Sequence, residues 1–480
     1  MRRVAQREQR PRWLGVARAI SPDAHSAHPG LRLLDASVAF GILPALADNA
    51  GSTGTGNPAP KMVVLFMGLL WAVVSAVLCA TGVAGDWPQI LGPRRDGQAA
   101  ADEKLAATWP AAGPPVLWSR DVGAGYAGVA VAGGRAYLFH RVGDRELVEA
   151  LDAATGKVVW KDDGHPTNFR PQVGGGDGPL CTPVVAGGRV IVFGAAGTLA
   201  CLDAETGRRQ WTRETHRDHG APEGYFGAGS TPLVVAGRVV VNVGGAKQDA
   251  GLVAFDLATG ETVWKALADA ASYSAPVSVE VEGKPHVLAV TRLNCVLVDA
   301  ATGEIRWRFP FGQRGPTVNA AMPVLLAEGR LLVTAAYGIG SVCAEFDARA
   351  ARPSWQGIDS LATQYCTPLL VAGQLYAIDG RDDIPPADFK CLDPTTGRIR
   401  WVERDFGYGT LLAADGKLVV AKTDGELLLV EPDAAALKIL ARARPFGADL
   451  AGALRALPAF AGGRLYLRDD RRLVCLAVGP

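Results

Sequence analysis

This 480-residue chain predicts an all-β fold: an eight-bladed β-propeller of four-stranded antiparallel blades, its ring closed by an N-terminal strand near Trp118. Three observations carry that expectation. A string of Asp-x-x-Thr-Gly followed by Trp recurs at the spacing of one propeller blade. Gly, at 58 residues of 480, stands well above the usual share of about 7 % and falls between short apolar runs, as hairpins require. Charged residues make up only 20 % of the chain, which excludes a disordered polymer and a long coiled coil. The 49 Lys and Arg balance 48 Asp and Glu, so no global field gathers nucleic acid or an anionic membrane.

The repeat appears as LDAATGKVVW (151–160), LDAETGRRQW (202–211), FDLATGETVW (255–264), VDAATGEIRW (298–307), FDARAARPSW (346–355) and LDPTTGRIRW (392–401). Asp152, Asp203, Asp256, Asp299 and Asp393, each with a Thr, offer side-chain acceptors to backbone N–H groups of a turn. Gly156, Gly207, Gly260, Gly303 and Gly397 supply the positive φ that closes a bulged hairpin. Trp160, Trp211, Trp264, Trp307, Trp355 and Trp401 then sit on the outgoing strand, where an indole can pack between neighbouring sheets with its N–H on a carbonyl. With Trp118 included, the Trp spacings are 42, 51, 53, 43, 48 and 46 residues.

Ahead of each Asp lies a pair of apolar runs joined by a Gly hairpin, such as PLLVAGQLYAIDG, so each blade reads as four strands. Inner strands begin near Val129, Pro183, Pro232, Pro276, Pro323, Pro368, Leu411 and Pro458, which counts eight. The seventh copy keeps only a degenerate turn, VEPDAAALKIL, and the eighth stops at its third strand. PVLWSRDVG around Trp118 supplies the missing outer strand and removes the open edge.

In front of this ring the chain divides into a leader at 1–61 rich in Arg, Gly and Pro, a hydrophobic segment at 62–85, and a lead-in at 86–114; the propeller follows at 115–480. Residues 62–85 are 24 positions without a charge, enough for a signal peptide or a membrane anchor, and small residues near Gly85 would suit cleavage. A signal so far inside the chain is also explained by translation starting near Met62, whereas the Arg-rich leader, if translated, favours a spanning anchor.

The Ala-x-Asp-x-x-Thr-Gly-x-x-x-Trp string, best kept at Ala150–Trp160 and Ala254–Trp264, resembles the tryptophan-docking motif of the pyrroloquinoline-quinone (PQQ) repeat family over residues 86–480. The family includes quinoprotein alcohol dehydrogenases and non-enzymatic propellers such as the lipoprotein of the outer-membrane β-barrel assembly machinery, so membership implies fold and leaves function open. Dehydrogenases of the family carry an adjacent Cys-Cys disulfide over a PQQ held with calcium; this chain has no Cys-Cys pair, and its blades are near minimal. The resemblance therefore points to an exported binding or assembly scaffold at the cell envelope, without a required cofactor and without a metal. A PQQ- and calcium-dependent alcohol or sugar dehydrogenase and a ligand-sensing ectodomain are the alternatives. The expected partner is an envelope protein, with the membrane as a second contact if residues 62–85 stay uncleaved, and the propeller is expected to be monomeric.

Candidate ligand-binding residues come from two places. The long segments after Trp160 and Trp211 leave neighbouring blades on one face and carry His165, Asn168, Arg170, His216, Arg217, Asp218, His219, Tyr225 and Phe226. His216-x-x-His219 has metal-ligand character, although no template fixes its geometry. Tyr126, Tyr365 and Tyr408 share one repeat position just before an inner strand, with Tyr273 close to it, and would ring one channel mouth. Asp382, Asp383 and Asp388 in GRDDIPPAD are expected on an exposed hairpin. The propeller's seven cysteines fall into repeat positions that want a small apolar side chain: Cys201, Cys391 and Cys475 two before Asp or its equivalent, Cys295 and Cys343 four before it, and Cys181 and Cys366 in the string CTP. No catalytic triad or zinc-protease motif stands out.

Overall fold

The computed structural model describes residues 85–172, 176–315, 317–326 and 329–480; the leader and the hydrophobic segment up to residue 84 lie outside them. The described chain forms eight antiparallel sheets arranged as propeller blades. Inner strands run Ala130–Ala132, Val184–Ala186, Leu233–Val235, Val277–Val281, Val324–Leu326, Leu369–Val371, Gly409–Ala414 and Ala459–Ala461, in blades 1 to 8. Blade 1 adds a short fifth strand, His165–Pro166. Among the described residues no helix is long and apolar enough to cross a membrane.

The repeat performs as its chemistry demands. Asp152 Oδ1 accepts from the Thr155 N–H at 2.8 Å and from its hydroxyl at 2.7 Å, and the same bonds recur at Asp203, Asp256 and Asp299. At Asp393 the Oδ1 takes the N–H groups of Thr395 at 2.9 Å and Thr396 at 3.1 Å. A bulge follows each of these turns, as at Ala150/Leu151 in blade 1. Seven indoles then reach across to a carbonyl of the next blade: Trp118 to Ala153, Trp160 to Ala204, Trp211 to Leu257, Trp264 to Ala300, Trp307 to Asp347, Trp355 to Pro394 and Trp401 to Asp433, all between 2.8 and 3.2 Å. The ring lies flat on the next turn's glycine: a Cβ on Gly303 would stand 2.6 Å from Trp264, so the motif needs Gly for contact as well as for its φ of +75°.

Blade 5 departs from the pattern. Its turn, Asp347 to Ala350, is tighter because Thr and Gly are missing, and it shifts the register. Cys343 therefore pairs with Trp355, the place that Cys201, Cys391 and Cys475 hold opposite Trp211, Trp401 and Trp118. The expected grouping of Cys343 with Cys295 is corrected accordingly, since Cys295 pairs with Phe309. All seven described cysteines are free and buried.

Val116–Asp121 pairs with Arg472–Ala477 and so supplies the outer strand of blade 8. The seam between blades 8 and 1 is further bound by Arg468, whose buried guanidinium donates to the carbonyls of Ala127 at 3.0 Å, Phe139 at 3.3 Å and Gly123 at 2.8 Å. Arg120 bonds Glu149 across the same seam at 2.6 Å. Blade 7 has Ala441 where the other blades have Trp. Residues of the lead-in compensate: Trp109 is buried in the cluster against which Ala441 packs, and the Thr108 hydroxyl donates to the Leu440 carbonyl at 3.1 Å.

The lead-in is woven into the ring as a strap across one end of the channel. Trp87 exchanges backbone bonds with Val131 of blade 1 at 2.7 and 2.8 Å, and the Pro88 carbonyl accepts from Val185 of blade 2 at 2.8 Å. Arg95 donates to carbonyls of Pro232 and Thr231 beside blade 3 and to Pro276 beside blade 4. Gly97 and Ala99 pair with Ala413 of blade 7, and Glu103 accepts from Gly462 and Gly463 in the first hairpin of blade 8. Arg95 is only 3 % exposed and has no carboxylate partner among the described residues, and burial pushes its guanidinium down to about 9.

Two outcomes follow from the seam. Deleting residues 115–122 is expected to abolish the cooperative melting transition; a truncated protein that melts unchanged would show that the ring closes otherwise. His140 accepts from the Gly123 N–H at 2.8 Å, and burial, with Arg468, Arg120 and Lys161 nearby, holds its imidazole down to about 3. Glu149, 3.8 Å away, is engaged by Arg120 and Lys161. The unfolded chain takes up that proton near pH 6.5 and the folded one does not, so stability is full above about pH 6.5 and falls as pH drops, by roughly 2 kcal/mol at about pH 5 from this group. Denaturant titrations across that range should show a shallower acid decline in His140→Gln.

Candidate functional site

Each blade exposes two kinds of connection. The turn face carries the first hairpins, the Asp-x-x-Thr-Gly turns and the strap, whereas the loop face carries the segments that lead from each outer strand to the next inner strand. The strap spans the turn-face end of the channel, so the open geometry lies on the loop face.

The two long loops meet there, joined by the Gln172 N–H to the Tyr225 carbonyl at 2.9 Å. Beside them a cleft of about 310 Å³ runs along blades 2, 3 and 4, the lower end of the range for small-molecule sites. Gln172, His216, Tyr225, Asn242, Tyr273 and Arg292 line it together with Glu223 and a glycine-rich wall. Tyr273 is fixed by accepting the Phe226 N–H at 2.9 Å, and its ring meets Phe226 edge-on at 5.9 Å. His216 packs edge-on to Phe193 at 6.0 Å, over Gly197, where a Cβ would lie 2.3 Å from its ring. Burial holds that imidazole down to about 4, so it is neutral at physiological pH. Arg292 donates to the Gly315 carbonyl and has no carboxylate partner among the described residues.

The other sequence candidates do not share this cleft. His165 is buried, its Nε2 3.0 Å from Glu146, whose second oxygen accepts from the Ala195 N–H. His219 packs on Phe255 at 6.0 Å, and burial lowers its pKa. Arg217 projects into solvent beside Asp218, while Arg170 bonds Asp177 at 3.1 Å and Asn168 is exposed. His216 and His219 therefore pack against different blades, and no group of three or more His, Cys, Asp or Glu side chains converges among the described residues.

The four tyrosines divide. Tyr408 is buried, and its hydroxyl accepts the Tyr365 N–H at 2.7 Å and the Cys366 N–H at 3.0 Å, which makes it an internal brace. Tyr365 packs against it with tilted rings at 4.6 Å, and Tyr273 belongs to the cleft. Tyr126 sits 5.6 Å beneath Arg455, which also bonds Asp382 at 2.8 Å. Asp382 is thus part of a bridge over the channel mouth instead of a free hairpin residue, while Asp383 pairs with Arg381 and Asp388 with Arg404 at 3.0 Å.

Sequence reasoning missed Gln172, Asn242 and Arg292 in the cleft and, outside it, Tyr337. Tyr337 holds φ +63° in the second-to-third-strand turn of blade 5, a costly conformation for an aromatic residue. Gln364 donates to its hydroxyl and Gln313 to its carbonyl, both at 2.7 Å, and Arg381 lies 4.3 Å over its ring. The signal available in sequence was the Tyr-Gly pair at a turn.

Three comparisons bear on this geometry. Quinohemoprotein alcohol dehydrogenase ADH-IIG of Pseudomonas putida is 35 % identical over 133 residues, which is 26 % of this chain and 17 % of that protein, so the chain spans about a sixth of its relative. BamB from Moraxella catarrhalis superimposes with a TM-score of 0.54 at 17 % identity, over 76 % of this chain and 99 % of that one. A europium-containing methanol dehydrogenase superimposes with a TM-score of 0.61 at 12 % identity, over 84 % and 100 %. Both structures share the fold. The profile of one family matches residues 101–285 and 248–383, together more than half of the chain. The chain therefore belongs to the family described as outer membrane protein assembly factor BamB and is a PQQ-repeat β-propeller.

Proposed function

We propose that the protein is an exported binding and assembly scaffold of the cell envelope, which takes a protein partner on its loop face and needs no cofactor. The observation that carries this reading is the closing of the turn-face end of the channel by the chain's own strap, with Arg95 on backbone carbonyls, while the loop face keeps an open cleft. The cleft holds binding groups: phenols, an amide, a neutral imidazole and the uncompensated Arg292. Partner recognition by aromatic and Arg side chains is the common composition of interaction hot spots. The family's description as an outer membrane assembly factor supports a protein partner at the envelope.

Oxidation of an alcohol through PQQ and calcium is the second reading, favoured by the dehydrogenase relative. Calcium takes six to eight oxygen donors, and among the described residues no acidic cluster converges that would supply them. No catalytic step is assigned.

Two experiments separate the readings. Titration with PQQ and calcium is expected to leave the absorbance spectrum of the quinone unchanged and to yield no dye-linked alcohol oxidation; saturable spectral change with turnover would establish the dehydrogenase. A photo-crosslinking residue in place of Tyr225, in cells, is expected to give one discrete protein adduct that Arg292→Glu removes. Absence of any adduct, with the protein folded and abundant, would overturn loop-face recognition.

A further inference from the structure

The turn face carries an asymmetry that the repeat does not require. The bulge before each docking Trp brings the two residues preceding it to the surface, half-buried or exposed, at one end of the outer strand. Blades 2 to 6 put at least one polar residue, or Pro and Ser, at these positions: Arg209 and Gln210, Thr262 and Val263, Ile305 and Arg306, Pro353 and Ser354, Ile399 and Arg400. Blade 7 puts Ile439 and Leu440 there, both half-buried, whereas blades 8 and 1, which are neighbours, put two large apolar residues at both positions and expose them: Val116 and Leu117, 53 % and 47 % exposed, and Val158 and Val159, 49 % and 48 % exposed. Four apolar side chains thus stand in water on one sector of the rim.

That sector is where the described chain begins. The Asp86 carboxylate accepts the Gly133 N–H in the first hairpin of blade 1 at 3.1 Å, and Glu103 holds the corresponding hairpin of blade 8. Gly85 lies against the blade 8 hairpin, where a Cβ would stand 2.9 Å from the Gly462 nitrogen. No linker separates this fixed point from the charge-free residues 62–84. Exposed Lys157 adjoins the apolar residues, and a groove of about 460 Å³ beside them is lined by Leu117, Arg464, Asp102 and Lys104, the last paired with Asp415 at 3.0 Å. Apolar side chains with Lys157 and Arg464 beside them match the interface of a bilayer with anionic headgroups.

We propose that the turn-face rim of blades 8 and 1 is a membrane-contact surface, seated on the bilayer that residues 62–84 enter. The inference rests on reading that segment as a retained anchor. It fixes the orientation of the ring: the turn face meets lipid on this sector, and the loop face with its cleft points away from the membrane.

The test uses the full chain in vesicles of phosphatidylethanolamine and phosphatidylglycerol, with an environment-sensitive fluorophore on Leu117→Cys, Val159→Cys or Tyr225→Cys in a Cys79→Ser background. The seven cysteines of the ring are buried, so labelling selects the new thiol. Blue-shifted emission with quenching by brominated acyl chains at 117 and 159, and neither at 225, is the expected result. Water-like emission at all three, with an intact N-terminus by mass, overturns the contact surface. A mature chain that lacks residues 62–84 overturns it as well, by removing the anchor. The Tyr225 adduct reports on loop-face recognition in either event, so the two readings fail separately.

Discussion

One interaction sets the geometry of this protein: an indole of one blade laid flat on the turn glycine of the next, its N–H on a backbone carbonyl. A single four-stranded sheet cannot bury both its faces, and the docking Trp fixes how the next sheet covers it. The conformation of the turn, the identity of its glycine and the bulge that aims the ring are all conditions of that contact. Where a blade loses one condition, another device replaces it. Trp307, facing the glycine-free turn of blade 5, stacks on Phe309 at 6.0 Å and meets Phe346 edge-on at 5.8 Å, and Trp109 from the lead-in serves the seam that Ala441 leaves without an indole.

The same logic explains the centre. Eight inner strands around an axis leave a channel whose walls end in carbonyl groups not used by the sheets. Arg95 meets several of these at once, so a cation is held where a hydrophobic plug would strand them unpaired. Burial lowers the Arg95 pKa to about 9, and the side chain remains a cation at physiological pH. The strap is therefore part of the fold and joins blades that share no direct contact.

Much of the architecture was legible because its cause is local. The Asp-to-Trp spacing records a turn and a bulge, and blade count and ring closure follow from counting it. Cys343 was misplaced for the same reason: counting from Asp347 fails when the turn itself is shortened, and only the register with Trp355 reveals it. The candidate site was less legible. Adjacent loops were foreseeable from consecutive blades, but the direction of each side chain depends on what it packs against. His165 finds Glu146, His219 finds Phe255, and only His216 of the three lines the cleft. Arg292 contributes from a second-to-third-strand turn that carries no motif, and Arg455 reaches Asp382 across the channel mouth.

The closing strand also dictates the order in which the protein can be made. Trp118 pairs with Cys475, so the first strand of the ring to leave the ribosome waits for nearly the last. Until then Val116–Asp121 is an unpaired, partly apolar edge, the kind of segment that seeks other chains. Contacts this distant in sequence close late and slowly. The ring is therefore completed only when the last strand, Arg472–Ala477, reaches the first.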